Sequence, residues 1–281
     1  MDNHKFVSVI IPTYKDTDLL KLCINGLKKQ SYPSNLFEVI IINNDPNNES
    51  LDVDANLPKN FNIISEKKIG SYAARNTGII NSKGQILAFT DADCIPREDW
   101  ILNAVELIQK GAQRVAGRVQ LFYKSNNLTP SENYEKVYAF DQRENAIKGK
   151  SVTANMITLK KYFNDIGMFD ERLFSGGDME WSLRAFRNKI SIRYAHNVIV
   201  DHPARANIRE LIKKAKRVSY NSTEKDSLIK IIIKGFVPSP HSLIKPFRCK
   251  EVSFANKINA LLIYYYLKLI KMVEQISVRW R

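Results

Sequence analysis

Several features that would assign this chain to other protein classes are scarce or absent. Its three cysteines, Cys23, Cys94 and Cys249, are scattered and lack metal-site spacing, which indicates reduced thiols in a cytosolic protein rather than a disulfide framework. The stretch Ile258–Leu267 carries no charge but has only ten residues, and a membrane-spanning helix needs about 20. No signal peptide is expected, because the first apolar run begins by about Phe6.

The net charge of +14 is unevenly distributed, and most of the chain has little excess of positive charge. Residues 1–202 contain 26 Lys or Arg and 24 Asp or Glu, whereas residues 203–281 contain 17 and 5. The basicity therefore belongs to the C-terminal portion. Such a portion can face nucleic acid, anionic lipid or an acidic partner.

Apolar runs alternate with segments of helical periodicity before residue 203. Phe6–Pro12, Phe37–Asn43 and Gln85–Thr90 predict buried strands, and Asp16–Gln30 and Gly70–Ser82 predict helices between them. This alternation predicts an α/β fold with a mostly parallel sheet flanked by helices.

The composition changes to basic helix formers after His202-Pro203. We therefore predict an α/β domain over 1–204 and a basic helical C-terminal extension over 205–281. Within the first domain, ligand-binding strand ends concentrate in about 1–110, and 111–204 forms a second half.

A D-x-D pattern, Asp91-Ala92-Asp93, closes the strand predicted over Gln85–Thr90. Open α/β sheets bind ligands at the carboxyl edge of their strands, and two carboxylates one residue apart can share a hard divalent cation. Taken alone, the pattern favours a polar turn that ends a strand. The segments around it change that interpretation.

Other polar strand ends are expected at the same edge. Ile11–Tyr14 offers a tyrosine that can stack on a base, and Asn43–Pro46 offers amides, although turn chemistry alone explains both. Gly70–Gly78 opens a helix with a glycine and an arginine that suit a diphosphate. It is not a G-x-G-x-x-G segment, so a dinucleotide fold gains no support.

Together these segments resemble glycosyltransferase family 2, the inverting enzymes of GT-A fold. On the nucleotide-sugar side the matching segments are VSVIIPTY (7–14), EVIIINN (38–44) and GSYAARNTGIINSKGQILAFTDADC (70–94). On the acceptor side they are Thr153–Met156, Ile166–Glu171, Gly176–Arg184 and Val200–His202. The order and spacing of several motifs match over roughly 6–202.

The resemblance implies a nucleotide-sugar site on the first half of the domain. Its residues would be Pro12, Tyr14, Asn44, Arg75 and Asp91. Tyr14 would stack near the base and Asn44 would contact the base or ribose. Arg75 would lie near the nucleotide or diphosphate. Because the family's usual acidic residues after the second strand are replaced by amides here, UDP is only the default nucleotide.

The resemblance also implies a metal site and a general base. Asp91 and Asp93 would hold Mn2+ or Mg2+, and His202 would be a third ligand, although a lone histidine at a strand end is as often structural. Asp178 would deprotonate the acceptor hydroxyl. The usual Gly-Glu-Asp triplet is Gly-Gly-Asp here, and Glu180 is the reserve candidate for the base.

The expected function is metal-dependent, inverting, non-processive transfer of a sugar from a nucleotide donor to a hydroxyl of a glycan or lipid-linked acceptor, in cell-surface polysaccharide or glycolipid synthesis. The segment Gln275–Trp280 differs by one residue from the Q-x-x-R-W motif of processive members. A nucleotidyltransferase is the alternative, but Pro12–Asp16 lacks the glycine-rich loop that it would need.

A nucleic-acid-binding protein is a further alternative, suggested by the charge. The excess of basic over acidic residues lies outside the α/β part, so no nucleic-acid partner is predicted. The helix expected over Ile258–Val273 either packs on the domain or lies on an anionic membrane. The charge favours peripheral membrane contact through 205–281, and hence a cytoplasmic protein at the inner face of the cell membrane.

Overall fold

The computed structural model describes residues 5–15, 17–47, 51, 53, 57–220 and 227–280; Asp16, the predicted start of the first helix, lies outside them. The chain forms two compact units. The N-terminal unit comprises Met1–Gln120, Asp141–Leu173 and Gly177–His202. The C-terminal unit comprises Leu121–Phe140, Phe174–Gly176 and Pro203–Arg281. Residues 121–140 thus group with the basic portion, and the predicted division at 204 stays a prediction.

The helices and strands follow the predicted alternation, with additional helices. The strands are β1 (Val7–Thr13), β2 (Phe37–Asn43), β3 (Phe61–Ser65), β4 (Ile86–Thr90), β5 (Ile95–Pro96), β6 (Arg114–Phe122), β7 (Asn155–Leu159) and β8 (Arg193–Pro203). The helices are α1 (Thr17–Lys28), α2 (Ser71–Asn81), α3 (Trp100–Gln109), α4 (Pro130–Tyr138), α5 (Gln142–Ile147), α6 (Lys161–Ile166), α7 (Gly177–Arg187), α8 (Ile208–Tyr220), α9 (Leu228–Phe236), α10 (Pro240–Arg248) and α11 (Phe254–Arg279).

The strands form one mixed sheet in the order β3-β2-β1-β4-β7-β6-β8-β5. The first four are parallel, with Val7 opposite both Phe37 and Ile86. Beyond β4 the direction changes, because β7 runs antiparallel to β4 and pairs Asn155 with Thr90. The carboxyl end of β4 and the start of β7 therefore lie at one edge of the sheet.

The parallel strands owe their place in the middle of the fold to continuous apolar runs. Every residue of β2 and β4 is buried, as expected for strands covered by helices on both faces. An aromatic cluster fills one side of the sheet. Trp181 of α7 stacks on Phe163 at 4.3 Å between ring centroids, and Phe169 packs edge-on against Phe89 at 5.5 Å. This packing fixes α7 against the sheet.

Two glycines set the start of α2 and its distance from the sheet. Gly70 precedes the helix with φ of 141°, a value that side chains other than glycine's rarely adopt. Eight residues further, in the second half of the helix, a Cβ on Gly78 would lie 2.6 Å from Cγ2 of Ile10. The helix can therefore approach β1 closely only with glycine at this position.

Asn155 joins three elements of the N-terminal unit. Its side chain is fully buried, accepts a hydrogen bond from Trp100 Nε1 at 2.9 Å, and donates to the carbonyls of Arg118 and Val198 at 2.8 and 3.0 Å. All three contacts are non-local. The buried amide thus ties α3, β6 and β8 to the first residue of β7.

The C-terminal unit is helical and contains α4 and α8–α11. The helix α11 packs against α4, α8 and α9, and it buries Ala260 and Leu267. The fully buried Glu135 of α4 accepts hydrogen bonds from Arg205 Nη1 and Lys214 Nζ, each at 3.0 Å. No helix within the described part of the chain is long and apolar enough to cross a membrane.

Candidate active site

The pairing of β5 with β8 brings Asp93 beside His202. Ile95 of the short strand β5 lies opposite Asp201, and Arg97 donates two hydrogen bonds to the Asp201 carboxylate, both at 2.8 Å. This register places His202 Nε2 3.3 Å from Asp93 Oδ2. The side chain of His202 is buried, and Asp93 is 30% exposed. Two of the three residues predicted as metal ligands are therefore adjacent in the fold.

The donor set at this position fits a divalent cation. Potential ligand atoms of Asp93, Cys94 and His202 all lie within 4.8 Å of one another. Burial, together with the carboxylates of Asp93 and Asp91, raises the pKa of the Cys94 thiol well above its usual value. A hard or borderline cation such as Mn2+ or Mg2+ prefers the carboxylate and the imidazole of this group to its thiol.

Arg75 holds the other carboxylate of the D-x-D pattern. The Arg75 side chain is only 5% exposed, and its Nη2 donates to Asp91 Oδ1 at 2.5 Å while Nη1 donates to the carbonyl of Ser71 at 3.1 Å. Asp91 is thus paired with a cation of the protein. The two carboxylates of the pattern face different partners, Arg75 for Asp91 and His202 for Asp93.

Buried donors and hydroxyls remain unsatisfied at this edge of the sheet. Within the described residues, Arg75 Nε and the hydroxyls of Thr13 and Thr90 are buried without a hydrogen-bond partner. Thr13 ends β1 and Thr90 ends the neighbouring strand β4. Unpartnered buried polar atoms are uncommon in proteins. Their presence at the carboxyl edge is consistent with a polar ligand site there.

Asp178 lies in the first turn of α7, held by three donors. Its Oδ1 accepts hydrogen bonds from Tyr72 Oη at 3.1 Å and Met179 N at 2.9 Å, and its Oδ2 accepts one from Thr153 N at 3.3 Å. Burial raises the pKa of the Asp178 carboxyl, while Arg75 and the three hydrogen bonds oppose that rise. A carboxylate with a raised pKa is a better proton acceptor than an ordinary one.

One continuous chain of contacts joins the two halves of the site. The guanidinium carbon of Arg75 lies 5.6 Å from the centroid of the Tyr72 ring, and Tyr72 donates to Asp178. Arg75 also pairs with Asp91. The D-x-D segment and the candidate base are therefore connected through two side chains of α2.

The reserve candidate Glu180 is engaged elsewhere. Its carboxylate pairs with Arg184 one turn further along α7, at 3.1 Å to Nε and 3.0 Å to Nη2. Arg184 in turn donates to the carbonyls of Ile166 and Met168. This arrangement favours a structural role for Glu180 and leaves Asp178 as the better candidate for the base.

Asn44 braces the loop that precedes α2. Its Nδ2 donates to the carbonyls of Glu66 and Lys68 at 2.9 and 2.8 Å, and its Oδ1 accepts from Gly70 N at 2.8 Å. These bonds occupy the amide with backbone partners. Direct contact of Asn44 with a base or ribose therefore stays a prediction.

The remaining predicted donor-site residues lie at the end of β1. Tyr14 is 53% exposed, and Lys15 Nζ lies 5.1 Å from the centroid of its ring. Pro12 is half-buried. An exposed ring at a strand's carboxyl end is accessible for stacking on a base.

Two contributors to the site were not identified from the sequence. Tyr72 and the backbone N–H of Thr153 both bind Asp178, although they lie 106 and 25 residues from it. Tyr72 stands inside the segment that carries the family resemblance, and its hydroxyl is the only feature that could have drawn attention to it. The sequence contains no indication of which carboxylate it would meet.

Sequence comparison identifies the class of protein that this fold and site define. Residues 8–167 match the family "Glycosyl transferase family 2". The archaeal protein "Glycosyltransferase AglE" of Haloferax volcanii is 34% identical over 261 residues, which cover 86% of this chain and 85% of that protein. The chain belongs to glycosyltransferase family 2 and is an enzyme of the glycosyltransferase class.

A further relative is similar in sequence, and one solved structure is similar in fold. A relative from Methanococcus voltae is 24% identical to this chain over 235 residues, which are 78% of this chain and 73% of that protein. Its name is "Dolichyl N-acetyl-alpha-D-glucosaminyl phosphate 3-beta-D-2,3-diacetamido-2,3-dideoxy-beta-D-glucuronosyltransferase". The mannosyltransferase PcManGT of Pyrobaculum calidifontis, solved with GDP-Man and Mn2+, superposes with a TM-score of 0.55 over 98% of this chain and 75% of that chain, at 17% identity. The predicted GT-A architecture is thereby confirmed.

Proposed function

We propose that this enzyme is an inverting, metal-dependent, non-processive glycosyltransferase that moves a sugar from a nucleotide donor to a hydroxyl of a lipid-linked or glycan acceptor. The observation that carries the proposal is the connected set of Asp93 with His202, Arg75 with Asp91, and Tyr72 with Asp178. The set supplies candidate metal ligands, a cation for the donor side and a base on one sheet edge.

The proposed chemical step uses Asp178 as the proton acceptor. The acceptor hydroxyl gives its proton to the carboxylate while its oxygen forms a bond to the anomeric carbon. The bond from that carbon to the phosphate oxygen breaks, and the nucleoside diphosphate leaves with the electron pair. Oδ2 of Asp178 accepts one described hydrogen bond and Oδ1 accepts two, so Oδ2 has the greater remaining capacity for the proton.

Asp93 and His202 would hold Mn2+ or Mg2+, with Asp91 as a further ligand when Arg75 releases it. When bound, such an ion supplies Lewis-acid neutralisation of the charge that develops on the diphosphate. Arg75 provides a fixed positive charge on the same side of the site. Its unpaired Nε and its nearly complete burial support a role in holding the donor in one orientation.

Related proteins support the proposed substrates. One Escherichia coli relative, 26% identical over 170 residues, is "UDP-Glc:alpha-D-GlcNAc-diphosphoundecaprenol beta-1,3-glucosyltransferase WfgD". Both that name and the Methanococcus voltae name describe acceptors attached to a polyprenyl lipid. We therefore favour a UDP-sugar donor and a lipid-linked acceptor, used in cell-surface polysaccharide or glycolipid synthesis.

A lipid-linked acceptor places the enzyme at a membrane. We propose peripheral contact through 205–281, at the cytoplasmic face of the cell membrane, and no nucleic-acid partner. The net charge of +12 over residues 203–281, from 17 Lys or Arg and 5 Asp or Glu, supports contact with anionic lipid.

The decisive experiment measures nucleoside diphosphate release from a panel of sugar nucleotides with Mn2+, with Mg2+ and with EDTA. We expect metal-dependent turnover of one donor, and a loss of about 100-fold or more in Asp93→Ala, because Lewis-acid stabilisation is worth several kcal/mol. Glu106→Ala is the matched control, since Glu106 is an exposed acid of α3 whose carboxylate pairs with the exposed Lys110 at 3.2 Å.

Equal activity of wild type with and without EDTA would remove metal dependence from the proposal. If no donor turns over, calorimetry with UDP, GDP and dTDP in the presence of Mn2+ decides whether the site binds nucleotide. Absence of both turnover and metal-dependent binding would overturn the assignment of Asp93 and His202.

A further inference from the structure

The C-terminal unit leaves one side of α9 uncovered. The exposed apolar residues of this helix, each at least 40% exposed, are Ile229, Ile232, Ile233 and Phe236. Their spacing of i, i+3, i+4 and i+7 puts them along one side of the helix. Ile231 and Gly235 lie on the opposite side and are buried, and α9 packs against α11. The apolar stripe therefore points away from the helix on which α9 packs.

The next helix repeats this arrangement. On α10, Leu243, Ile244 and Phe247 are 39%, 48% and 49% exposed, while Pro246 is buried. Tyr138 Oη donates to the carbonyl of Ser242 at 2.8 Å and ties the helix to α4. Both helices are thus anchored within the C-terminal unit while their apolar stripes remain in contact with solvent. We call these two stripes the α9–α10 surface.

The surface lies in a segment with charge of one sign. Residues 228–250 contain five Lys or Arg and no Asp or Glu. Lys230 and Lys234 occupy neighbouring turns of α9 at the border of its stripe, and Arg248 is exposed at the end of α10. Apolar side chains bordered by cations are complementary to a layer in which acyl chains lie beneath anionic headgroups.

We propose that the α9–α10 surface docks on a bilayer that contains anionic lipid, with Ile229, Ile233 and Phe247 entering the headgroup and acyl boundary. The inference rests on the proposed function, because it specifies how the enzyme would meet a lipid-linked acceptor. Insertion is in the plane of the interface, in keeping with the absence of a spanning helix within the described residues.

The chemistry of the surface distinguishes lipid from other occupants. A nucleic acid would use the lysines but would gain nothing from a stripe of isoleucines with phenylalanine, because its backbone is anionic and fully polar. A second copy of this chain would bring the same positive charge to the contact. Five like charges on each copy would oppose such a dimer.

The test measures binding of the full-length enzyme to vesicles by sedimentation. Vesicles of phosphatidylcholine with phosphatidylglycerol are compared with vesicles of phosphatidylcholine alone. We expect binding to the anionic vesicles, weakened but not abolished by high salt. The double substitution Ile229→Ser with Ile233→Ser should lower the partition coefficient about tenfold or more, because each isoleucine loses its burial in lipid.

A matched pair of substitutions provides the control. Ile80→Ser with Ile147→Ser changes two isoleucines of the N-terminal unit that are 68% and 78% exposed, and it should leave vesicle binding unchanged. Circular dichroism and gel filtration of both double variants check that folding and oligomeric state are kept. Donor hydrolysis without acceptor should be equal in wild type and both variants, so loss of docking and loss of the proposed transfer are separately visible.

Three outcomes would overturn the inference. The first is that the wild type does not bind anionic vesicles at low salt. The second is that the Ile229→Ser, Ile233→Ser double variant binds them as tightly as wild type. The third is a concentration-dependent dimer that the α9 substitutions abolish, without vesicle binding, which would identify a second copy as the occupant. If the wild type binds anionic vesicles but hydrolyses no donor, the result would support membrane docking and contradict only the proposed sugar transfer.

Discussion

The two units of this enzyme use their apolar residues differently. In the N-terminal unit, β2 and β4 are buried at every position, and the aromatic residues around Trp181 pack against one another. In the C-terminal unit, α9 buries Ile231 and Gly235 and exposes its isoleucine stripe. Charge divides along similar lines, from +2 over residues 1–202 to +12 over residues 203–281.

Folding and the proposed membrane docking draw on different parts of the sequence. The strands β2 and β4 of the N-terminal unit are buried in its own core, and the polar groups of the candidate site lie at the edge of the sheet that they form. The C-terminal unit retains apolar and basic surface that its own packing does not use. Damage confined to one unit should therefore affect one property and spare the other.

The largest expected effect separates transfer from docking. Asp178→Asn should lower kcat for transfer by about 10²- to 10⁴-fold, the usual contribution of a positioned general base. Vesicle binding by this variant should equal that of wild type. Steady-state transfer and sedimentation on the same protein sample measure both properties.

Glu180→Gln is the control for Asp178→Asn, because Glu180 pairs with Arg184 on the same helix. We expect its kcat to stay within about threefold of wild type, as for removal of a partly exposed ion pair. A greater loss in Glu180→Gln than in Asp178→Asn would reverse the assignment of the base.

The next largest effect is expected on the stability of the C-terminal unit, at the buried ion cluster of Glu135, Arg205 and Lys214. Glu135→Gln should cost about 3 kcal/mol of unfolding free energy, because Lys214 and Arg205 lose a fully buried carboxylate. Urea unfolding monitored by circular dichroism measures the loss. Glu251→Gln, which removes an ion pair of a 78% exposed side chain, should have almost no effect.

The same cluster predicts sensitivity to acid. Burial acts to raise the pKa of Glu135, but Lys214 and Arg205 lower it overall below its usual value. Because the folded pKa lies below the unfolded one, the stabilisation is present above the unfolded pKa and is lost as pH falls through the folded pKa. Wild type should lose stability on acidification, and Glu135→Gln should lose less over the same range.

The buried amide of Asn155 allows a similar test of stability in the N-terminal unit. Asn155→Ala should cost about 3 kcal/mol, because it leaves Trp100 Nε1 and the carbonyls of Arg118 and Val198 without their partner. Thermal unfolding measures the change. Asn103→Ala, which removes one hydrogen bond to the carbonyl of Asn197 from a half-buried side chain, should cost less than half as much.

The smallest expected effect concerns the pKa of the Asp178 carboxyl. The hydrogen bond from Tyr72 lowers the pKa of this carboxyl, so Tyr72→Phe should raise it further. Because the base must be ionised, the acidic limb of the kcat profile should move to higher pH, with a loss of only a few-fold at its plateau. An unshifted limb would show that the hydroxyl does not act on the base.

The order of motifs predicted the fold correctly where local pattern decides, whereas the roles of the candidate site residues stay predictions. β2 has the predicted bounds, and β4 differs from its prediction by one residue. The helices α4 and α5 were not predicted, although Thr129 and Glu132 form a capping box around Pro130 at the start of α4. That pattern was readable in the sequence as T-P-S-E.

Contacts between residues far apart in the sequence could not be predicted from local sequence patterns. The sequence places Asp93 and His202 in the same motif set, yet their 3.3 Å approach depends on the pairing of β5 with β8. It contains no information on whether the helix over Ile258–Val273 packs or remains free, which the contacts of α11 with α4, α8 and α9 answer.

The sequence by itself determined the class of fold, the family and the division of charge, because apolar periodicity, motif order and composition are properties of the linear chain. The tertiary structure alone decided that Arg75 pairs with Asp91, that Tyr72 meets Asp178 and that α9 exposes its isoleucines. Those outcomes depend on which surfaces remain after the sheet and the helices have packed. Such surfaces are defined by contacts between residues far apart in the chain, which no local pattern encodes.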